Sequence, residues 1–107
     1  MISRLLPTAV AAWRADPLRP APLLLDVREP WEREICAIDG SQSMPMQELV
    51  RRIGEIPRDR DLVIVCHSGQ RSAAVTAWLA QQGFTAHNLE GGVEAWAQTV
   101  DPAMRRY

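Results

Sequence analysis

The chain has 107 residues, of which 12 are basic and 13 acidic, giving a formal net charge of −1 at pH 7. We expect one domain, with a core over about 5–98 and a tail over 99–107; this length leaves no room for a two-domain enzyme. The near-zero charge argues against nucleic acid or an acidic membrane surface as partner. No apolar run is long enough to span a membrane. Having only two cysteines indicates a reducing compartment, the cytoplasm.

The first half of the chain alternates helical and strand patterns. Apolar residues recur at helical spacing around Pro7 (Leu5, Ala9, Ala12 and Trp13). They predict a helix over about 7–15, with Pro7 in its first turn. The run LLLDV predicts a strand buried on both faces over about 22–27. Pro30 opens a short helix, and AIDGSQSMP is interpreted as a turn and a short strand.

The second half continues the alternation. Apolar residues at steps of 3, 4 and 7 predict a strong amphipathic helix that stops at 54–57 (Met46, Leu49, Val50 and Ile53). DLVIVC and FTAHNL read as strands, RSAAVTAWLAQQG as a helix ending at Gly83, and GGVEAWAQTV as a short helix entered through its glycines. This order predicts an α/β domain with a mainly parallel sheet and helices on both faces.

Cys66 stands where a buried strand meets a helix. The first turn of a helix presents unpaired N–H groups beside the positive end of the helix dipole, so negative charge is stabilised there. The same field should favour the thiolate of Cys66, the form that attacks electrophiles. Ligands of parallel sheets bind beyond the carboxyl ends of the strands, and Asp26 ends another buried strand, so we expect both residues on one rim.

Three blocks of the sequence occur together, LLLDVREPWE, CHSGQRSAAVTAWLAQQGF and NLEGGVEAW. In this order and spacing they resemble the single-domain rhodanese family of sulfurtransferases over about 22–97. The resemblance implies a rhodanese-like three-layer fold. It also implies that Cys66 takes a sulfane sulfur from a donor such as thiosulfate, becomes a persulfide and passes the sulfur to a thiol, a protein thiol or cyanide. No cofactor is implied beyond this covalent intermediate, and the cysteines and histidines lack the spacing of a metal site.

The loop behind Cys66 is assigned to substrate binding through His67, Ser68, Gly69, Gln70, Arg71 and Ser72. The successive amides of residues 67–71 can turn inward as an anion nest, because the loop is tight. Gly69 would adopt a left-handed conformation at low cost. The planar guanidinium of Arg71 suits an oxyanion such as sulfite, although Arg71 could instead pair with a carboxylate, for which Asp26 and Glu29 are candidates. His67 is interpreted as a loop residue rather than a base for Cys66.

Residues outside the loop receive mainly structural assignments. Asp26 and Arg28 are expected to support the rim through charge-assisted hydrogen bonds. Cys36 is expected in the core, the alternative being a resolving thiol that forms a disulfide with Cys66. Cys36 and Ala37 also stand where many members of the family have a Gly-His pair, so the role of that histidine is absent here.

Two further features bear on the substrate. Trp31 could shape an apolar mouth, although packing on the sheet is the simpler interpretation. In the tail, Arg105 and Arg106 could dock an anionic partner, but a frayed end is the default expectation. Because Ser68 is not a cation, a strong preference for dianionic thiosulfate does not follow, and the physiological donor and acceptor stay open.

The length of the loop separates the candidate functions. Four residues lie between Cys66 and Arg71, one fewer than in the tyrosine phosphatases and the rhodanese-fold cell-cycle phosphatases. A smaller ring of amides should fit a single sulfur atom better than a tetrahedral phosphate. Sulfur transfer is therefore favoured over a phosphatase or arsenate reductase. The third hypothesis is a non-catalytic sulfur-relay or regulatory module that delivers its persulfide to one particular protein.

Overall fold

Five parallel strands form the central sheet of a computed structural model that describes all 107 residues. The strands are β1 (Ser3–Leu5), β2 (Leu23–Asp26), β3 (Gln42–Ser43), β4 (Leu62–Val65) and β5 (Ala86–Leu89). Their order across the sheet is β1-β5-β4-β2-β3, and each neighbouring pair runs parallel. The predicted α/β class with a parallel sheet is confirmed.

Five α-helices connect or follow the strands: α1 (Pro7–Ala15), α2 (Pro30–Ile35), α3 (Leu49–Arg52), α4 (Gln70–Gln81) and α5 (Gly92–Thr99). A proline opens each of the first two helices, where its missing N–H costs no hydrogen bond. The start of α2 carries a reciprocal capping box between Glu29 and Glu32. None of the helices is long and apolar enough to cross a membrane.

Two elements differ from their sequence patterns. The helix predicted from Met46 onward is split into a four-residue α3 between two 3₁₀ turns, Met46–Glu48 and Ile53–Glu55. Its start is fixed to the sheet because the N–H of Met46 donates to the carbonyl of Val27. Strand β1 was not predicted, since three largely exposed residues at a sheet edge carry no buried-strand signature.

The core consists of two apolar clusters, one on each face of the sheet. Successive residues of a strand point to opposite faces, so Leu23 and Leu25 enter one cluster and Leu24 the other. Helices α3 and α4 cover the first face, and α1 and α5 cover the second. This gives the three layers that the sequence resemblance implied.

The central strands bring the candidate residues to one rim. Strands β2 and β4 are neighbours, and Asp26 pairs in register with Val65. Cys66 follows Val65 directly, so the two strands end side by side with Asp26 and Cys66 at the same edge, as predicted.

Candidate active site

The sulfur of Cys66 lies in a cradle of hydrogen-bond donors, and the residue is only 1% exposed. The N–H of Gly69 lies 3.1 Å from Sγ and the N–H of Ser72 lies 3.3 Å from it. The hydroxyl of Ser72 is a third neighbour, at 3.1 Å. Of the five amides predicted to form an anion nest, those of residues 67–71, only that of Gly69 bonds to the sulfur, and the second amide is that of Ser72. Both can stabilise a thiolate or a persulfide at this position.

Gly69 permits the tight turn of the cradle. It precedes α4 with a φ of 96°, in the left-handed region predicted from the sequence. A Cβ at this position would lie 2.9 Å from the backbone nitrogen of Gly91. Both the conformation and the lack of space therefore require glycine.

Helix α5 holds the backbone of the loop from the other side. The N–H of Val93 donates to the carbonyl of Cys66 at 2.9 Å, and the N–H of Glu94 donates to that of His67 at 3.1 Å. A Cβ on Gly92 would lie 2.4 Å from either carbonyl oxygen. The approach of α5 thus depends on Gly92, and it fixes the loop carbonyls away from the sulfur.

A buried amide completes the support of the cradle. The hydroxyl of Ser72 donates to Oδ1 of Asn88 at 2.5 Å, and Nδ2 of Asn88 donates to the carbonyl of Gly69 at 3.1 Å. Asn88 lies in β5 and is 1% exposed. Sequence reasoning missed this residue. Its only signal was a polar side chain within an apolar strand pattern.

The guanidinium of Arg71 is held by a carboxylate. Its two terminal nitrogens lie 2.8 and 2.7 Å from the two oxygens of Glu32. Pairing with a carboxylate was one predicted alternative for Arg71, but the partner is Glu32 rather than Asp26 or Glu29. Both arms of the fork are occupied, so its assignment to an oxyanion stays a prediction.

Glu32 is the central acceptor of this part of the site. Besides Arg71 it accepts the N–H of Glu29 and the hydroxyl of Tyr107, each at 2.8 Å. The hydrogen bonds from Arg71, together with those from Glu29 and Tyr107, outweigh burial and lower the pKa of Glu32 to about 2. The carboxylate therefore stays ionised at neutral pH.

Asp26 and Arg28 form a buried ion pair beneath the rim. Arg28 is 0% exposed, and its Nη2 lies 2.7 Å from Oδ2 of Asp26. The same nitrogen donates to the carbonyl of Cys36 at 2.8 Å, and Arg33 reaches Asp26 at 2.9 Å. These contacts tie the end of β2 to α2, in keeping with the structural role predicted for the pair.

The tail folds back onto the site, so the default expectation of a frayed end is wrong. The ring of Tyr107 stacks on that of His67, with centroids 3.9 Å apart and planes within 10°. Its hydroxyl accepts a hydrogen bond from Arg28 at 2.9 Å and donates to Glu32. Burial raises the pKa of Tyr107 to about 12, so the hydroxyl remains a donor. Arg106 pairs with Glu94.

The remaining predicted residues lie around this centre. Ser68 and Gln70 are exposed at the outer face of the loop. Trp31 is 58% exposed and meets the edge of Tyr107 at 6.1 Å between centroids. Cys36 is buried in the core cluster on the face of the sheet opposite to that of Cys66, and both thiols are free.

An apolar groove lies beside the loop that follows Cys66 rather than over it. A groove of about 200 Å³ runs between α3 and α4 and is lined by Met46, Leu49, Val50, Ala74, Val75 and Trp78. Cys66 does not line this groove. The chemistry is therefore assigned from the donors around the sulfur and not from the shape of the groove.

Comparisons with known proteins agree with this geometry. The family model described as the rhodanese-like domain matches residues 8–99. A sulfurtransferase of Allochromatium vinosum is 46% identical over 77 residues, covering 71% of this chain and 72% of that protein. The thiosulfate sulfurtransferase GlpE of Pseudomonas paraeruginosa is 35% identical over 81 residues, covering 75% of this chain and 73% of that protein. The crystal structure of a rhodanese-related protein from Thermoplasma volcanium superposes with a TM-score of 0.84 at 28% identity, covering 92% of this chain and 93% of that protein.

Proposed function

Because the chain belongs to the rhodanese-like domain family, we propose that it is a sulfurtransferase that carries sulfur as a persulfide on Cys66. One observation supports this choice above all. The sulfur of Cys66 lies within hydrogen-bond distance of two backbone amides and one hydroxyl, which come from Gly69 in the loop after β4 and from Ser72 in the first turn of α4. Such a cradle stabilises negative charge on one sulfur atom.

The reaction divides into two attacks on sulfur. The thiolate of Cys66 attacks the outer sulfur of thiosulfate, an S–S bond forms, and sulfite leaves with the electron pair of the broken bond. A thiolate or cyanide then attacks the outer sulfur of the persulfide and regenerates the Cys66 thiolate. Two moderate barriers replace one high barrier, as in other covalent catalysis.

The residues around Cys66 stabilise the negative charge on its sulfur and hold that sulfur in place. The N–H groups of Gly69 and Ser72 stabilise the anion before and after transfer. The family relationship supports a sulfur donor and a thiol acceptor as partners. No cofactor takes part, because the covalent intermediate supplies the chemistry. Both cysteines are free thiols, which fits a reducing compartment such as the cytoplasm.

Loading of sulfur on Cys66 tests the proposal. After treatment with thiosulfate, intact-protein mass spectrometry should show one added sulfur on the wild type and on Cys36→Ser. The same loading should be absent from Cys66→Ser, because no thiolate remains in the cradle. Thiocyanate production from thiosulfate and cyanide should likewise vanish only in Cys66→Ser, while circular dichroism shows an intact fold.

The outcomes distinguish the candidate functions. Unchanged thiocyanate production in Cys66→Ser would refute the proposal. Hydrolysis of an aryl phosphate or reduction of arsenate without a sulfur donor would favour the phosphatase or arsenate reductase alternative. Stable loading of Cys66 with negligible transfer to small acceptors would favour the sulfur-relay alternative.

A further inference from the structure

We propose that Glu32 makes this site select sulfur donors with less negative charge than thiosulfate. The inference rests on the proposed function and specifies its donor class. It makes Glu32 a specificity-determining residue that acts through Arg71, the only side chain between Cys66 and Ser72 that carries a permanent charge.

Glu32 is built into the site as a fixed negative charge. It is 3% exposed and accepts four hydrogen bonds, two of them from Arg71. A carboxylate with four donors cannot turn away without leaving several of them unpaired. The charge of Arg71 is therefore balanced by a partner that stays in place when substrate arrives.

The other arginines near the loop are also paired with carboxylates. Arg28 and Arg33 both bind Asp26, and Arg106 pairs with Glu94. The chain contains no lysine, and the exposed loop residues Ser68 and Gln70 are uncharged.

The first transfer therefore brings negative charge to a loop whose one arginine is already paired with a carboxylate. Thiosulfate carries two negative charges and meets a third on the Cys66 thiolate. Methanethiosulfonate, CH₃SO₂S⁻, has a methyl group in place of one charged oxygen. The Cys66 thiolate attacks its outer sulfur, the persulfide forms, and methanesulfinate leaves with the electron pair. The two donors thus compare the same bond exchange with one unit of charge removed.

The size of the effect follows from Coulomb's law. One unit charge at about 8 Å from another, at the effective dielectric constant of a partly exposed site, changes a rate constant by roughly tenfold. Removing the charge of Glu32 should lower the activation free energy of sulfur transfer about twice as much for thiosulfate, a dianion, as for methanethiosulfonate, a monoanion. The ratio of kcat/KM for thiosulfate to that for methanethiosulfonate isolates this difference.

The experiment compares Glu32→Gln with the wild type and with Glu29→Gln. Glu29 lies in the same capping box but is bonded to exposed Gln47 rather than to Arg71. In Glu32→Gln the ratio should rise about tenfold, because Arg71 gains an unbalanced charge. In Glu29→Gln it should change by less than about twofold, because Glu29 is partly exposed, where its charge is screened, and does not bind Arg71. An unchanged or lower ratio in Glu32→Gln would overturn the inference.

A salt titration of the wild type tests the inference without any substitution. If Arg71 acted as a free cation, raising NaCl from about 50 to 500 mM would lower kcat/KM for thiosulfate by screening the attraction. With Arg71 balanced by Glu32, the value should stay level or rise. A marked fall would overturn the inference even if Glu32→Gln did not fold.

Failure of both donors to load Cys66 would overturn the proposed function as well, whereas loading by both with an unaltered ratio would overturn only the role of Glu32.

Discussion

The hydroxyl of Ser72 has one proton and two neighbours that can accept it. One is the sulfur of Cys66 at 3.1 Å and the other is Oδ1 of Asn88 at 2.5 Å. With a neutral thiol, Ser72 can donate to Asn88 and accept the thiol proton. With a thiolate, the proton of Ser72 can turn toward the sulfur. The side chain therefore adapts to the charge that Cys66 carries during each transfer.

Ser72→Ala removes this adaptable donor and leaves the backbone N–H in place. A hydrogen bond to a charged group contributes about 1.5 to 3 kcal/mol, so persulfide formation should slow by roughly tenfold or more. Alkylation of Cys66 by iodoacetamide at neutral pH should also slow, because the thiolate loses a hydrogen bond. Ser68→Ala is the matched control, since Ser68 is exposed on the same loop. Equal alkylation rates for the two variants would contradict this role of Ser72.

The residues that sequence reasoning identified share a local signal. Cys66 and Gly69 stand three residues apart in one loop, and Asp26 ends a strong strand pattern, so chain position alone indicates their placement. Asn88 and Glu32 reach the loop from separate elements, and their side chains meet it only through the packing of β5 and α2. Pairings at such sequence separation cannot be predicted from spacing within one segment.

At the scale of elements, the tail acts as a strap across α2, the segment that follows β2 and the loop after Cys66. Tyr107 contacts one side chain from each, namely Glu32, Arg28 and His67. The tail has no periodic pattern, so its docking could not be predicted from hydrophobic spacing. Besides Tyr107, the packing of Met104 on the core and the pairing of Arg106 with Glu94 hold it in place. The contacts of Tyr107 link the buried ion pair beneath the rim with the carboxylate that holds Arg71.

Two substitutions separate the contributions of Tyr107. Tyr107→Phe keeps the ring stack but removes both hydrogen bonds, and it should lower the free energy of unfolding by about 1 to 3 kcal/mol. Tyr107→Ala also removes the stack on His67, which should cost about 0.5 to 1.5 kcal/mol more. Urea denaturation measures both. Trypsin should cleave after Arg105 or Arg106 faster in Tyr107→Ala, and cleavage at the wild-type rate would show that the strap does not depend on Tyr107.

The segment between β3 and β4 shows the limit of pattern reasoning for elements. Its apolar spacing is helical, yet only Leu49 among the four apolar positions is buried, and Val50 is 74% exposed. The bond from Met46 to Val27 fixes the entry to the sheet, and Gly54 and Pro57 end the helical backbone soon afterwards. Tertiary contacts at both ends thus shorten a helix that the sequence would otherwise extend.

At the scale of the whole molecule, the parallel sheet determines where the chemistry can occur. The register of β2 with β4 places their carboxyl ends together, and α4 and α5 both begin at that rim. This much follows from strand and helix order, because parallel strands with helical crossovers share one active edge. The charge balance of the rim does not follow from that order, since it depends on which carboxylate meets which arginine.

That charge balance makes the stability of the protein sensitive to acid through Glu32. Its pKa falls from about 4.5 in the unfolded chain to about 2 in the folded protein, chiefly because Arg71 donates to it. A lowered folded pKa contributes stability above the unfolded pKa, and this contribution is lost as the pH falls from about 4.5 to 2. At neutral pH it amounts to about 3 kcal/mol. Glu32→Gln should therefore be less stable than the wild type at pH 7, and the difference should shrink as the pH approaches 2. Urea denaturation at a series of pH values, with Glu29→Gln as the control, measures the difference. A gap that stays constant between pH 7 and pH 2 would show that the ionised carboxylate of Glu32 does not stabilise the fold.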